Sequence, residues 1–145
     1  MTAQTRVLAI DYGERRLGIA LSDPSGRVAQ PLTVVERSTD RQAVDSIASL
    51  LNDYEVTQII VGDPRSLSGR AGTQAAKVKK FAAALREACD IPIEMYDERL
   101  SSKEARSQLA AAGVSGRRVK GLVDKVAASL FLQSYLDREA GRADR

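Results

Sequence analysis

The stretch LAIDYGERRLGIALSD, residues 8–23, decides the fold that we predict for this chain. Residues 6–12 are rich in branched aliphatic side chains, which is typical of a buried strand. Gly13 breaks this run, and residues 16–22 alternate enough to form a second strand. Asp23 then begins the sequence Asp-Pro-Ser-Gly, a strong turn signal. Two strands followed by a turn predict the start of an antiparallel meander.

The rest of the chain extends this start into a mixed sheet. Residues 27–36 read as a third strand, in which Pro31 favours an edge position. We predict the later elements as a helix capped by Ser38-Thr39-Asp40, a strand over 57–62, a helix over 73–89 with Ala76, Phe81, Ala84 and Leu85 on its inner side, a strand over 91–96, a helix from Ser101 or Ser102 to about Ala112, and a last helix from about Arg118 to Leu136. This order predicts an α/β fold with a five-stranded mixed sheet flanked by helices. Right-handed crossovers make strands 4 and 5 parallel to strand 1.

Length and composition limit the possible functions. The 145 residues fit one domain, residues 1–145, with residues 137–145 as a frayed tail. The chain contains no histidine and one cysteine, which excludes a Ser-His-Asp triad, a histidine-bound zinc and an internal disulfide within it. We find neither a signal peptide nor a membrane span, so we expect a cytoplasmic protein without membrane contact. The net charge of +3 is compatible with an anionic partner.

Acidic residues are predicted to converge on one edge of the sheet. Asp11 ends strand 1, and Asp97 and Glu98 end strand 5. The carboxyl ends of parallel strands share an edge, where open α/β sheets place their sites. Asp124 lies in the last helix among apolar and small residues. It either reaches the same edge of the sheet or only pairs with Lys120 on the helix surface. Carboxylates brought together need a cation, and Mg²⁺ favours oxygen ligands. Such ions can activate water for phosphodiester hydrolysis without any histidine.

Basic residues flank each of these acids and are candidates for contacts to a nucleic-acid backbone. They are Arg15, Arg16, Arg99, Lys103, Arg117, Arg118, Lys120 and Lys125. Acids inside a basic rim are what a metal-dependent enzyme acting on a polyanion needs, and such a rim binds phosphates without reading sequence.

Four motifs resemble those of one known family. They are AIDYGERRLGIALSDPSGRVAQPL, IIVGDPRSLSG, DERLSSKEA and VDKVAASLFLQSYLD, and they span about residues 7–138. In this order they resemble the YqgF (RuvX-like) family of Holliday-junction-resolvase-like proteins, also described as candidate pre-16S rRNA nucleases. The resemblance implies a ribonuclease H-like fold and a nuclease dependent on Mg²⁺ or Mn²⁺. It also implies a nucleic-acid substrate, either pre-16S rRNA trimmed at its 5′ end or branched DNA.

The resemblance assigns the catalytic metal ligands to Asp11, Glu98 and Asp124. One position departs from the family pattern, because Asp63 stands where an apolar residue, usually leucine, precedes the proline. Asp63 is therefore either an additional metal ligand beside Asp11 or a loop residue that bonds the backbone of Arg65 and Ser66.

Two other functions compete with a nuclease. One is a nucleic-acid-binding factor in ribosome maturation with little or no cleavage activity. The other is an ATP-binding protein, because IDYGERRLGIA also resembles the first phosphate loop of the actin and sugar-kinase superfamily; the chain lacks a second such loop and any Walker motif. The sequence is compatible with a monomer or a homodimer.

Overall fold

The computed structural model describes residues 6–63, 71–97 and 117–143. These contain five strands and three helices. The strands are β1 (Val7–Tyr12), β2 (Arg16–Ser22), β3 (Ala29–Glu36), β4 (Gln58–Asp63) and β5 (Ile93–Asp97), and the helices are α1 (Asp40–Asp53), α2 (Ala71–Ala88) and α3 (Arg117–Ala143). The helix predicted from Ser101 or Ser102 to about Ala112 lies outside the described residues.

The strands form one sheet in the order β3-β2-β1-β4-β5. β1, β2 and β3 pair antiparallel, whereas β4 is parallel to β1 and β5 is parallel to β4. This confirms the predicted five-stranded mixed sheet and the edge position of β3. Pro31 sits in that edge strand, next to a register shift between Ile19 and Ala20 of β2. Because proline has no N–H to donate, an edge with a local irregularity accommodates it.

The two faces of the sheet bury different clusters of side chains. Along β1, Leu8 and Ile10 join the cluster under α1 and α2, which also contains Phe81 of α2. Val7 and Ala9 join the opposite cluster, which contains Phe131 of α3. Alternation along a strand produces this division, since successive side chains point to opposite faces. Residues of β1 can therefore be assigned to a face by whether their number is odd or even.

Helix α1 begins where the sequence predicts it. Thr39 is the residue preceding the helix, and its side-chain oxygen accepts a hydrogen bond from the backbone N–H of Gln42. Such a cap satisfies an N–H group that the first helical turn leaves unpaired. β3 ends at Glu36 and α1 starts at Asp40, so Arg37 lies in the short connection between them, beside the carboxyl end of β1.

Helix α3 covers the face to which Val7 and Ala9 belong. Ala127 and Ala128 are buried, and these small residues let the helix approach the sheet closely. Tyr96 of β5 contacts α3 in two ways. Its ring stacks on Phe131 with centroids 6.2 Å apart, and its hydroxyl lies 2.6 Å from the Ser134 hydroxyl. These contacts set the position of α3 relative to the carboxyl ends of the parallel strands.

Several predicted details differ from the structure. α3 continues to Ala143, so the segment from residue 137, which we expected to be frayed, is helical up to that residue. Ala76 is exposed rather than on the inner side of α2, while Phe81 and Leu85 are fully buried as predicted. Within the described ranges, no helix combines the length and apolar character that a membrane span requires.

Candidate functional site

Asp11 lies at the carboxyl end of the central strand. It is half-buried, and its partner across the antiparallel pair is Gly18 of β2. Its odd number places it on the face of Val7 and Ala9, which α3 covers. Since Gly18 has no side chain, the neighbouring strand leaves space beside the Asp11 carboxylate. Asp11 therefore lies at the sheet edge on which the sequence predicts the acidic residues to converge.

The other predicted site residues divide into three groups. Glu98, Arg99 and Lys103 lie outside the described residues. Asp63 is the last residue of β4, and Asp124, Arg117, Arg118, Lys120 and Lys125 lie in α3, with only their backbone positions described. Arg15 is exposed in the connection between β1 and β2, and Arg16 is half-buried at the start of β2. The structure thus brings Asp11, Arg15 and Arg16 to one strand end.

The metal ligand set stays a prediction. Among the side chains that the structure describes, no three carboxylate, cysteine or histidine groups converge on one point. Of the three predicted ligands only Asp11 belongs to those side chains. Its carboxylate has the oxygen chemistry that Mg²⁺ and Mn²⁺ prefer, which makes it a suitable ligand.

A hydrogen-bonded cluster on the other face of β1 was missed by the sequence analysis. The Tyr12 hydroxyl donates to Asp40 Oδ1 over 2.9 Å, and Arg37 Nε donates to the same oxygen over 2.8 Å. The Arg37 guanidinium also lies over the Tyr12 ring, 5.4 Å from its centroid. Burial, together with the hydrogen bond to Asp40, raises the pKa of Tyr12 to about 12. Tyr12 is therefore neutral at physiological pH and acts as a donor.

Arg37 also holds the connection between β1 and β2. Its Nη1 donates to the Glu14 carbonyl oxygen over 2.7 Å, and its backbone N–H donates to the Arg15 carbonyl oxygen over 2.8 Å. Lys77 of α2 donates to the Glu14 carboxylate over 2.5 Å and lowers the pKa of that carboxyl. The connection that follows Asp11 is thus tied to the end of β3 and to α2.

These residues line a shallow cavity of about 400 Å³, which we call the basic pocket. Its lining residues are Tyr12, Glu14, Arg15, Arg37, Asp40, Lys77 and Lys80. The spacing of Lys77 and Lys80, three residues apart on a helix, was the one sequence signal that could have indicated it. Nothing in the sequence indicated that Arg37 would reach back to this strand end.

A second cavity, of about 730 Å³, lies at the other end of the sheet. Its lining residues include Val7 at the start of β1, Arg27 in the turn after β2, and Tyr135 and Asp137 of α3. Because Val7 and Asp11 are at opposite ends of β1, this cavity is separate from the acidic strand end.

Solved structures of resolvases share the fold. RuvC of T. thermophilus in complex with a Holliday junction substrate superimposes with a TM-score of 0.58 at 20% identity, covering 94% of this chain and 96% of that one. The fowlpox virus resolvase bound to Holliday junction DNA gives a TM-score of 0.54 at 14% identity, over 93% and 99% of the two chains. At such identities the likeness concerns the fold alone, and it assigns this sheet to the ribonuclease H-like fold.

Sequence relationships define the family within this class. A family model described as "RuvX: Holliday junction resolvase" matches residues 5–138. A protein of Syntrophus aciditrophicus named "Putative pre-16S rRNA nuclease" is 48% identical over 132 residues, which cover 91% of this chain and 88% of the relative. One of the same name from Halothermothrix orenii is 43% identical, with coverage of 91% and 94%. The chain belongs to the RuvX family, which confirms the resemblance found in its motifs.

Proposed function

We propose that this protein is a divalent-metal-dependent nuclease that hydrolyses phosphodiester bonds in structured nucleic acid. The physiological substrate in this proposal is the 5′ end of pre-16S rRNA in the cytoplasm, and branched DNA is a second substrate. The observation that carries the proposal is the place of Asp11, half-buried at the carboxyl end of the central parallel strand and on the face that α3 covers. The names of the relatives support the choice of substrate.

The backbone of α3 supports a place for Asp124 in the same site. Leu136 of this helix belongs to the same core cluster as Val7, at the beginning of β1. Asp124 precedes Leu136 by twelve residues, or about 18 Å of helix, while Asp11 follows Val7 by four residues, or about 13 Å of strand. With the carboxyl end of α3 near the start of β1, position 124 comes level with the end of that strand. Its spacing of seven from Phe131 puts it on the helical face toward the sheet.

In the proposed site Asp11, Glu98 and Asp124 hold Mg²⁺ or Mn²⁺ through carboxylate oxygens. When bound, the metal supplies Lewis-acid polarisation of the phosphate and a lowered pKa for a coordinated water. Arg15 and Arg16 follow Asp11 by four and five residues, in the connection after β1 and at the start of β2, so they are placed to contact phosphates near the scissile bond. The basic residues Arg99, Lys103, Arg117, Arg118, Lys120 and Lys125 complete the proposed backbone contacts.

The strand register favours a role for Asp63 outside this ligand set. Position 63 has the parity of Ile59 and Val61, which belong to the cluster under α1 and α2, whereas Asp11 belongs to the other face. We therefore expect the variant Asp63→Leu to keep the wild-type dependence on Mg²⁺ and Mn²⁺. A changed metal preference in this variant would make Asp63 a ligand.

The test is cleavage of a structured RNA carrying the pre-16S 5′ end, and of a four-way DNA junction, by pure protein with and without each metal. Asp11→Asn, Glu98→Gln and Asp124→Asn should each lower cleavage more than about 100-fold, because even residues that only orient metal ligands cost 10- to 100-fold. Asp45→Asn, at an exposed position on α1, is the matched control and should cleave as wild type. Binding by wild type without cleavage under either metal would replace the proposal with the nucleic-acid-binding factor.

A cellular experiment tests the substrate separately. Cells depleted of the protein should accumulate 16S rRNA with extended 5′ ends, and wild type should restore the mature end. Asp11→Asn should fail to restore it, although the variant is present in equal amount. Restoration by this variant would refute the assigned role of Asp11.

A further inference from the structure

We propose that the basic pocket binds the phosphodiester backbone of the substrate strand as it continues from the Asp11 site over the connection between β1 and β2. This inference rests on the proposed function and adds Lys80 of α2 to the residues that contact the substrate. The pocket lies on the face of the sheet opposite Asp11, so the bound strand crosses the sheet edge between the two.

The charges of the pocket leave a surplus of positive charge. Asp40 is paired with Arg37 at 2.8 Å, and Glu14 is paired with Lys77 at 2.5 Å. The two remaining cations of the lining are Arg15 and Lys80, both exposed. Within the described part of the chain neither takes part in an ion pair. With four cations and two carboxylates, the lining carries a net positive charge that attracts an anion, and each phosphodiester carries one negative charge.

The base of the pocket is held in place before any ligand arrives. Asp40 receives hydrogen bonds from both Tyr12 and Arg37, and Arg37 is bonded to the carbonyl oxygen of Glu14 and to that of Arg15. The ring of Tyr12 packs on Phe81 with centroids 4.9 Å apart, which anchors the cluster in the core. The base of the pocket and the backbone that carries Arg15 therefore need no ordering when a ligand binds.

Continuity with the proposed site favours a polymer over a separate small anion. Asp11 and Tyr12 are consecutive residues of one strand, so their side chains emerge on opposite faces at the same strand end. Arg15 lies in the connection between β1 and β2, and it lines the basic pocket together with Lys80 of α2. In this inference, a strand that passes the Asp11 carboxylate continues over the connection, where its phosphates contact Arg15 and then Lys80.

The experiment compares Lys80→Glu and Lys80→Gln with Lys79→Glu. Lys79 is exposed on the same helix and does not line the pocket, so its variant changes the net charge as Lys80→Glu does. The probes are a labelled structured RNA and the same RNA with single-stranded extensions on both sides, and affinity is measured without divalent metal over a range of salt concentrations. Circular dichroism confirms that each variant is folded.

We expect Lys80→Gln to weaken binding of the extended RNA roughly fivefold at 0.15 M salt, the contribution of one phosphate contact. Lys80→Glu should weaken it further, and each should lower the salt slope by about one relative to wild type. Lys79→Glu should bind the extended RNA more tightly than Lys80→Glu does. The two variants should bind the structured RNA without extensions equally. Equal binding of the extended RNA by Lys79→Glu and Lys80→Glu, or loss at Lys80 that does not depend on the extensions, would overturn the inference.

Cleavage by wild type and Asp11→Asn, measured on the same preparations, separates this inference from the proposed function. Wild type that binds without cleaving refutes the nuclease but leaves the comparison of the Lys80 variants valid. Wild type that cleaves, together with Lys80 variants that bind as the Lys79 control does, refutes the pocket and leaves the nuclease standing.

Discussion

Replacing Gly13 with alanine tests how the connection after Asp11 is built. A Cβ atom at this position would lie 2.5 Å from the carbonyl oxygen of Arg16, a backbone atom. Close carbon–oxygen contacts in proteins are about 3.3–3.6 Å, so the two backbone segments must separate by about 1 Å. Glycine is required here because of space and not because of backbone conformation. Among the described residues, positive φ angles occur at Glu55 and Gly26 and not at Gly13.

The connection resists this separation because it is bonded on several sides. Arg37 donates to the carbonyl oxygens of Glu14 and Arg15, and each such bond contributes about 1 kcal/mol. Losing one bond, or straining the contact as overpacking does, gives an expected loss of about 1–3 kcal/mol in the free energy of unfolding. The carboxylate of Asp11 should shift with the connection, so cleavage should fall as well.

Urea unfolding followed by circular dichroism measures the effect, since the chain has no tryptophan to report by fluorescence. Gly141→Ala is the matched control, because a Cβ at this exposed helical position meets nothing within 4 Å. The same substitution there should raise stability by up to about 1 kcal/mol through helix propensity. If Gly13→Ala unfolds at the wild-type urea concentration or above it, the close approach to Arg16 does not constrain the connection and the reasoning is wrong.

Three further substitutions test the packing and the polar contacts. Tyr12→Phe should lower the free energy of unfolding by about 0.5–1.5 kcal/mol at neutral pH, since Asp40 loses a hydrogen-bond donor. The pKa of Tyr12 is about 12 in the folded state and about 10 in the unfolded state, so wild type should lose stability as the pH rises from 10 to 12. Urea titrations over this pH range should show no such loss for the variant. Phe131→Ala should cost about 3–5 kcal/mol by thermal and urea unfolding, whereas Val28→Ala, at a side chain 51% exposed, should stay within about 0.5 kcal/mol. In the folded state, hydrogen bonds from a serine hydroxyl and two backbone N–H groups lower the pKa of Asp23. The stabilisation by this carboxylate is therefore present above about pH 3.9 and is lost as the pH falls toward the pKa of Asp23 in the folded state. Urea titrations should show that Asp23→Asn is less stable than wild type at neutral pH and loses less stability in acid.

The sheet was predictable because each strand carries a local signal. Val7–Tyr12 is nearly continuous in apolar residues, as expected for a central strand buried on both faces, and Pro31 marks the edge. The boundaries of β2 match the prediction, and Thr39 caps α1. The parallel direction of β4 and β5 followed from the crossover connections, a rule of topology that applies whatever the side chains are.

Alanine-rich helix faces were harder to predict. Ala76 was assigned to the inner side of α2, yet it is exposed, and Val78 and Ala82 are buried instead. Alanine contributes little apolar area, so its position does not define a face, and the buried stripe is set by Val78, Phe81 and Leu85. The end of α3 was also missed, because the segment after Leu136 is polar and carries no apolar periodicity, yet it continues as helix to Ala143, with the Arg138 guanidinium over the Tyr96 ring of β5.

The basic pocket could not be predicted because its residues meet only in three dimensions. Tyr12, Arg37, Asp40 and Lys77 come from a strand, a connection and two helices, and apart from the pair Arg37 and Asp40, three residues apart, no sequence spacing relates them. Tyr12 looked like the end of a buried strand, and Asp40 looked like part of a helix cap. Their hydrogen bond over 2.9 Å arises because α1 begins beside the carboxyl end of β1.

The alternation of β1 gives a physical reason for two functional surfaces at one strand end. Asp11 and Tyr12 are neighbours in the chain, yet one is on the face of α3 and the other packs on Phe81 of α2. Arg37 holds the connection that follows them on the side of Tyr12. A ligand that displaces Arg15 there would also displace the backbone that carries Asp11. Binding in the basic pocket should therefore affect cleavage as well as affinity. A Lys80→Gln variant that keeps wild-type cleavage of the extended RNA at saturating enzyme concentration would limit the pocket to binding, whereas a reduced rate would show that the bound strand helps to orient Asp11.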